Sequence, residues 1–190
     1  MCRIYSVVLA LLLATLGVCT PTSANALRNT IYDLQIAKWN AVYNPSIPWV
    51  WAKAQLVAES RLDTQATSPV GAMGLGQFMP DTWTQVSKEL GFPVGTKAYA
   101  SSYNIQAHAY YMNYLRGQFK KPRPEVDRHS LALASYNAGL GNILKAQAKG
   151  GNSLYYEPMA KALPLITGKH SVETTTYVKR IWEYVGIYNK

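Results

Sequence analysis

From Ile31 to Tyr188 apolar residues recur at steps of three and four, and no segment alternates apolar and polar residues over a strand's length. Prolines and glycines cut the pattern into pieces. A chain built this way can form helices joined by short breaks and has little with which to build a sheet. The expected fold is therefore all-α and mostly helical, in a single compact domain. Asn29 or Thr30 is expected to cap a first helix carrying Ile31, Leu34 and Trp39, broken by Asn44-Pro45-Ser46. Pro48 suits the first turn of the next, where Val50, Trp51, Ala54 and Val57 fall at helical spacing and Glu59 lies near the end. Residues 63–79 read as an irregular, Gly-rich segment. Pro80 opens a helix ending near Leu90, with Gly91 as its stop. Further helices are expected over 104–119, 130–136, 154–163 and 173–188, the last with Tyr177, Ile181 and Tyr184 in register. The KKPRP run from Lys120 to Pro124 reads as a solvated basic linker, residues 137–141 as a turn, and 164–171 as a loop.

The N-terminus has a different character. Arg3 is the only charge ahead of an apolar run from Ile4 to Cys19, and Ala24-Asn25-Ala26 offers a small-x-small cleavage site. Residues 1–26 are expected to be a secretory signal peptide cleaved after Ala26, with 27–190 as the single folded domain. The alternative is a segment retained as an anchor, although the run is short for a stable membrane span. Cys2 and Cys19 both fall in this leader, so the mature chain would hold no disulfide and no thiolate. His108, His129 and His170 lack metal-ligand spacing, and no metal is expected. The net charge is +9, and +8 without Arg3. An exported basic protein suits a polyanionic surface such as a cell-wall polymer or anionic lipid, and export excludes nucleic acid as the natural partner.

The chain has only 10 acidic residues. Most sit in polar or helix-capping contexts. Glu59 follows the apolar Leu56-Val57-Ala58 and precedes Ser60. Apolar surroundings would raise its pKa, as a general acid requires, and Ser60 could orient it. On pattern alone, the alternative is a carboxylate facing solvent at a helix end. Gly71, Gly74 and Gly76 would let backbone approach a ligand closely, and Gln77 could offer both donor and acceptor groups to a sugar. A phosphate loop is excluded, since no Lys-Ser/Thr follows the glycines.

Four blocks in order carry a resemblance to a known family. They are Glu59-Ser60; Ser68-Pro69-Val70-Gly71-Ala72-Met73-Gly74-Leu75-Gly76-Gln77-Phe78-Met79-Pro80-Asp81-Thr82; Ser135-Tyr136-Asn137-Ala138-Gly139; and Glu173-Thr174-Thr175-Thr176-Tyr177-Val178. Together they resemble the catalytic core of the soluble lytic transglycosylases, which have a lysozyme-like fold. Gly76 stands where that family usually has Met, and Ser135 where it usually has Ala.

The resemblance implies a peptidoglycan lytic transglycosylase that works without a cofactor. Glu59 would be the sole acid and base. Protonated, it would give its proton to the oxygen linking N-acetylmuramic acid to N-acetylglucosamine. Ionised, it would take the proton of the C6 hydroxyl, which closes on C1 to leave a 1,6-anhydro end. Asp63 and Asp81 read as turn and helix-start residues rather than a second catalytic carboxylate. By the same resemblance Ser60 and Tyr177 would orient the acid. Ser68, Gln77 and Asn137 would hydrogen-bond sugars, Met79, Thr82 and Tyr136 would shape the cleft, and Glu173 would contact a sugar or cap the last helix. The rival readings are a hydrolytic muramidase on the same fold and a non-catalytic wall-binding protein. The substrate would be glycan strands in the periplasm or cell wall. A secretion, conjugation or phage lysis apparatus is left open as a partner.

Overall fold

The structure is a computed structural model that describes residues 21–188. The apolar run Ile4–Cys19 and both cysteines lie outside the described residues. Ten α-helices and one 3-10 turn account for most of the described chain, and its only β pairing is two isolated bridges, Thr67 with Met73 and Met73 with Phe78. The described residues gather into two compact units, one of residues 21–111 with 180–188 and the other of residues 112–179.

In the first unit, α1 (Pro21–Arg28) buries Ala26 and Leu27 in a core with Ile36, Leu56, Val57, Leu62, Leu75 and Ile105. The proposed cleavage point therefore lies inside α1, and a mature chain would begin on a core residue, Leu27. Helix α2 (Asp33–Tyr43) departs from expectation. Ile31 and Leu34 are 71% and 88% exposed, and the buried positions are Ile36 and Asn40. Two side-chain bonds explain this. Asn29 Oδ1 accepts from Ile31 N at 3.0 Å, making a local turn in place of a helix cap. Asn40 Nδ2 donates to Ile47 O at 2.9 Å, so a polar residue holds the buried stripe because it ties down the following turn.

Pro48, at φ −60° and ψ 135°, feeds the chain into α3 (Trp49–Ser60). Residues 51–58 are all buried, Lys53 and Gln55 among them. Lys53 donates from Nζ to Asp33 Oδ2 at 2.9 Å and lies 5.0 Å from the Tyr188 ring centroid, joining α2, α3 and the C-terminal helix. Trp51 and Trp182 meet edge to face at 4.7 Å. Helix α4 (Pro80–Glu89) starts at the expected proline, and Gly91 follows its end at φ +65°. Helix α5 (Ser101–Gly117) begins slightly earlier than expected.

In the second unit, α6 (Glu125–Ala138) is twice the length of the expected short helix, and its residues 129–135 are all buried. It packs with α7 (Leu140–Lys149) and α8 (Tyr156–Ala162). Helix α7 was not expected. The break before it is the single residue Gly139, at φ +88°, and its buried positions are only Ile143 and Ala146, too few to mark a helix by periodicity. The 164–171 segment also differs. It holds a short helix, α9 (Pro164–Thr167), then a 3-10 turn over Gly168–His170 that leads into α10 (Ser171–Tyr188).

The KKPRP run is less solvated than its composition suggests. Arg123 Nη1 donates to Leu154 O at 3.2 Å, and its guanidinium lies 5.4 Å from the Phe119 ring centroid. Beside it the buried Arg116 and the half-buried Arg128 both pair with Glu125. Partial burial alone would raise the Glu125 carboxyl, but hydrogen bonds and charge from Arg116 and then Arg128 outweigh it and hold the group below its ordinary value.

Candidate active site

Glu59 is the penultimate residue of α3, partly buried at the end of that helix's fully buried run. The helix stops because Arg61 and Leu62 both take left-handed backbone, at φ +56° and +63°. Two such consecutive non-glycine residues are costly and mark a segment held in place by its surroundings. Leu62, 6% exposed, is buried in the core and pins the turn. The neighbouring Ser60 hydroxyl donates back to Leu56 O at 3.4 Å, which commits its only proton to its own helix. Asp63 does not project as a second catalytic acid. Its Oδ1 accepts from Gln65 N at 2.8 Å in an exposed turn, and Asp81 sits exposed in the first turn of α4.

The segment 63–79 is irregular but closely bonded to itself. Gly74 N donates to Ala66 O at 2.9 Å, while Met73 and Phe78 exchange both backbone bonds at 2.9 and 3.0 Å. Gly74 has φ +69°, and an added Cβ would stand 2.2 Å from Ala98 O, so only glycine fits. Phe78 anchors the far end. It is 1% exposed and packs 5.6 Å from the Trp83 ring and 6.2 Å from the Tyr111 ring. Asn104, fully buried on α5, clamps the loop from outside. Its Oδ1 accepts from Gly76 N at 2.8 Å and its Nδ2 donates to Ala98 O at 2.6 Å. Nothing in its sequence context marked Asn104, since its bond to the loop comes from Gly76, 28 residues away.

The loop presets its polar side chains. Ser68 Oγ accepts from Ala72 N at 3.0 Å, which leaves the hydroxyl proton to donate outward. Gln77, at φ +47°, uses its Nε2 group on Ala66 O at 3.2 Å and Gly74 O at 2.9 Å. The expectation that Gln77 offers both donor and acceptor is thus corrected, because its donors hold the loop and its Oε1 remains to accept. Met79 is the partly buried residue ahead of α4, and Thr82 is partly buried in that helix's first turn.

The other candidates belong to the second unit. Tyr136 and Asn137 are partly buried in the last turn of α6. Glu173 is partly buried in the first turn of α10, and Tyr177 is buried further along it, 3% exposed beside Val178. Asn137 Oδ1 accepts from Thr174 Oγ1 at 2.8 Å, a bond between residues 37 apart in sequence. Among the described residues no group of three or more His, Cys, Asp or Glu could hold a metal ion, and no helix is long and apolar enough to cross a membrane.

A partly buried acid closing a buried helix, followed by a self-bonded glycine loop, sits inside a recognised sequence family. Residues 38–157 match the family described as the Transglycosylase SLT domain. The chain belongs to that family. It is 32% identical over 139 residues to a membrane-bound lytic murein transglycosylase F from Enterobacter sp., a match covering 71% of this chain and 26% of that protein. It is 30% identical over 152 residues to the protein of the same name from Shewanella pealeana, covering 76% and 30%. Its fold resembles that of an inactive mutant of the lytic transglycosylase Slt from Pseudomonas aeruginosa, with a TM-score of 0.67 and 27% identity over 84% of this chain and 24% of that one. The chain thus spans roughly a quarter to a third of the length of these relatives, and its all-α architecture is that of the SLT domain.

Proposed function

We propose that the chain is a peptidoglycan lytic transglycosylase, exported to the periplasm or cell wall, that cleaves the bond from N-acetylmuramic acid to N-acetylglucosamine without water. The observation that carries this reading is Glu59 at the end of α3, directly ahead of the glycine loop, inside the SLT match. The relatives named above as lytic murein transglycosylases support the substrate class.

Glu59 is assigned as the sole acid and base. Its proton goes to the departing glycosidic oxygen, and the C–O bond breaks with positive charge building at C1. The 2-acetamido group of the muramic residue stabilises that centre. The C6 hydroxyl then attacks C1 and returns its proton to the Glu59 carboxylate, so the enzyme ends as it began and the product carries a 1,6-anhydro ring. Ser68 donates to a sugar and Gln77 Oε1 accepts from one, as their own bonds allow. Met79, Thr82 and Tyr136 contact sugar, Asn137 and Glu173 hydrogen-bond it, and Tyr177 and Ser60 orient the acid. Residues 1–26 act as the export signal.

The test is digestion of purified sacculi followed by mass spectrometry of the products. Anhydro-muramic ends are expected, and reducing ends carrying one added water would identify a hydrolytic muramidase instead. Glu59→Gln keeps the shape and removes the acid, and should lower turnover by at least ~100-fold, the scale of general acid–base catalysis.

A further inference from the structure

Helical serines and threonines in this chain usually turn their hydroxyls back on their own helix. Thr84 donates to Pro80 O at 2.9 Å, Ser135 to Leu131 O at 2.8 Å and Thr175 to Ser171 O at 3.0 Å. Thr174 does not. It is 0% exposed in the first turn of α10, and its hydroxyl reaches out of its helix to Asn137 Oδ1 on α6. A buried threonine that forgoes its own helix carbonyl for a partner 37 residues away fixes that partner's orientation.

The consequence for Asn137 is one of polarity. An asparagine amide can accept on one side and donate on the other. Here Thr174 occupies one of the two acceptor positions of Oδ1 and sets which way the amide faces. Reversing the amide would break the Thr174 proton's bond to Asn137 and oblige that buried proton to find another acceptor. Asn137 is therefore held with its Oδ1 towards Thr174 and its Nδ2 donors turned away from that residue. Gln77, in the other unit, is held the opposite way and presents an acceptor only.

We propose that Thr174 is a positioning residue that turns the Asn137 amide so that Nδ2 is the side offered to substrate, and the substrate group it reads is an acceptor oxygen such as the carbonyl of an N-acyl group. This inference rests on the reading of the chain as a glycan-cleaving enzyme, and it adds a residue and a direction that membership of the family does not supply. Valine replaces threonine nearly atom for atom and removes only the hydroxyl, so the fold should survive.

The experiment measures kcat and KM on solubilised glycan strands, with melting temperature as a control, for Thr174→Val, Thr174→Ser, Asn137→Ala, Asn137→Asp and the double variant Thr174→Val/Asn137→Ala. Thr174→Val should lower kcat/KM on the order of 5-fold, carried by KM, as one lost orienting bond would. Thr174→Ser should restore it. In the Asn137→Ala background Thr174→Val should have no further effect, which a merely structural role for Thr174 would not produce. Asn137→Asp, which has no proton to donate, should be no better than Asn137→Ala. Equal losses from Thr174→Val in both backgrounds, or an Asn137→Asp variant as active as the parent, would overturn the inference while leaving the enzyme reading intact. Absence of any glycan cleavage by the parent chain would overturn that reading and this inference with it.

Discussion

The loop after α3 and the junction after α6 both carry a candidate sugar-binding amide, and they hold it by opposite means. The 63–79 loop is a local construction. Gln77 is fixed by carbonyls of its own loop, Ala66 and Gly74, and the backbone is turned by glycines and by left-handed Arg61, Leu62 and Gln77. The α6–α7 junction has almost no loop at all, only Gly139, and Asn137 is fixed by Thr174 from a distant helix. Gln77 commits its donors, whereas Asn137 commits one acceptor position of its Oδ1.

The sharpest way to break the comparison is at Gly74. Gly74→Ala would press a Cβ to 2.2 Å from Ala98 O and 2.7 Å from Asn104 Nδ2, at φ +69°. A loss of about 2–4 kcal/mol is expected, together with most of the activity, because both the Gln77 and Asn104 bonds depend on that backbone. Urea unfolding and turnover measured on the same preparation would check it, and a stability change below about 0.5 kcal/mol would show that the loop is not held as described.

Acid should separate the two units next. Burial lowers the His108 pKa from 6.5 to about 3 in the first unit. The unfolded chain then binds a proton that the folded chain refuses, so stability falls as pH drops from 6.5 towards 3, by up to ~1.4 kcal/mol per pH unit. In the second unit Glu125 is held below 4.5 by Arg116 and Arg128. Its contribution is complete above 4.5 and is lost only as pH falls through the lower folded value. Amide exchange around His108, in residues 101–111 of α5, should therefore rise before that in α6 on acidification. His108→Gln should flatten the first limb and leave the second.

The smallest effect is expected at Ser68. Ser68→Ala removes the acceptor for Ala72 N and should cost about 1 kcal/mol of stability, with a rise in KM from the lost outward donor. A change in stability with no change in KM would assign Ser68 to the loop alone.

The sequence made the first device legible and hid the second. Pro48 and Pro80 mark where α3 and α4 begin, and the glycines between them announce an irregular segment, so Glu59 could be placed at its helix end from spacing alone. The polarity of Gln77 could not, because its donors go to backbone atoms of a loop whose path is not periodic. Asn104 and Thr174 left no mark for the same reason, since a hydrogen bond between distant segments has no signature in local pattern. Helix α2 misled in a different way. The exposed Ile31 ahead of it and Leu34 within it looked like core, while a buried Asn40 took the place of an apolar residue by bonding the next turn.

The central claim is that Glu59 alone drives a cleavage in which the sugar's own C6 hydroxyl is the nucleophile. Mass spectrometry of sacculi digested by the parent chain and by Glu59→Gln tests it most directly. The account predicts 1,6-anhydro ends from the parent and essentially none from the variant. Reducing ends one water heavier, or undiminished anhydro product from Glu59→Gln, would contradict it.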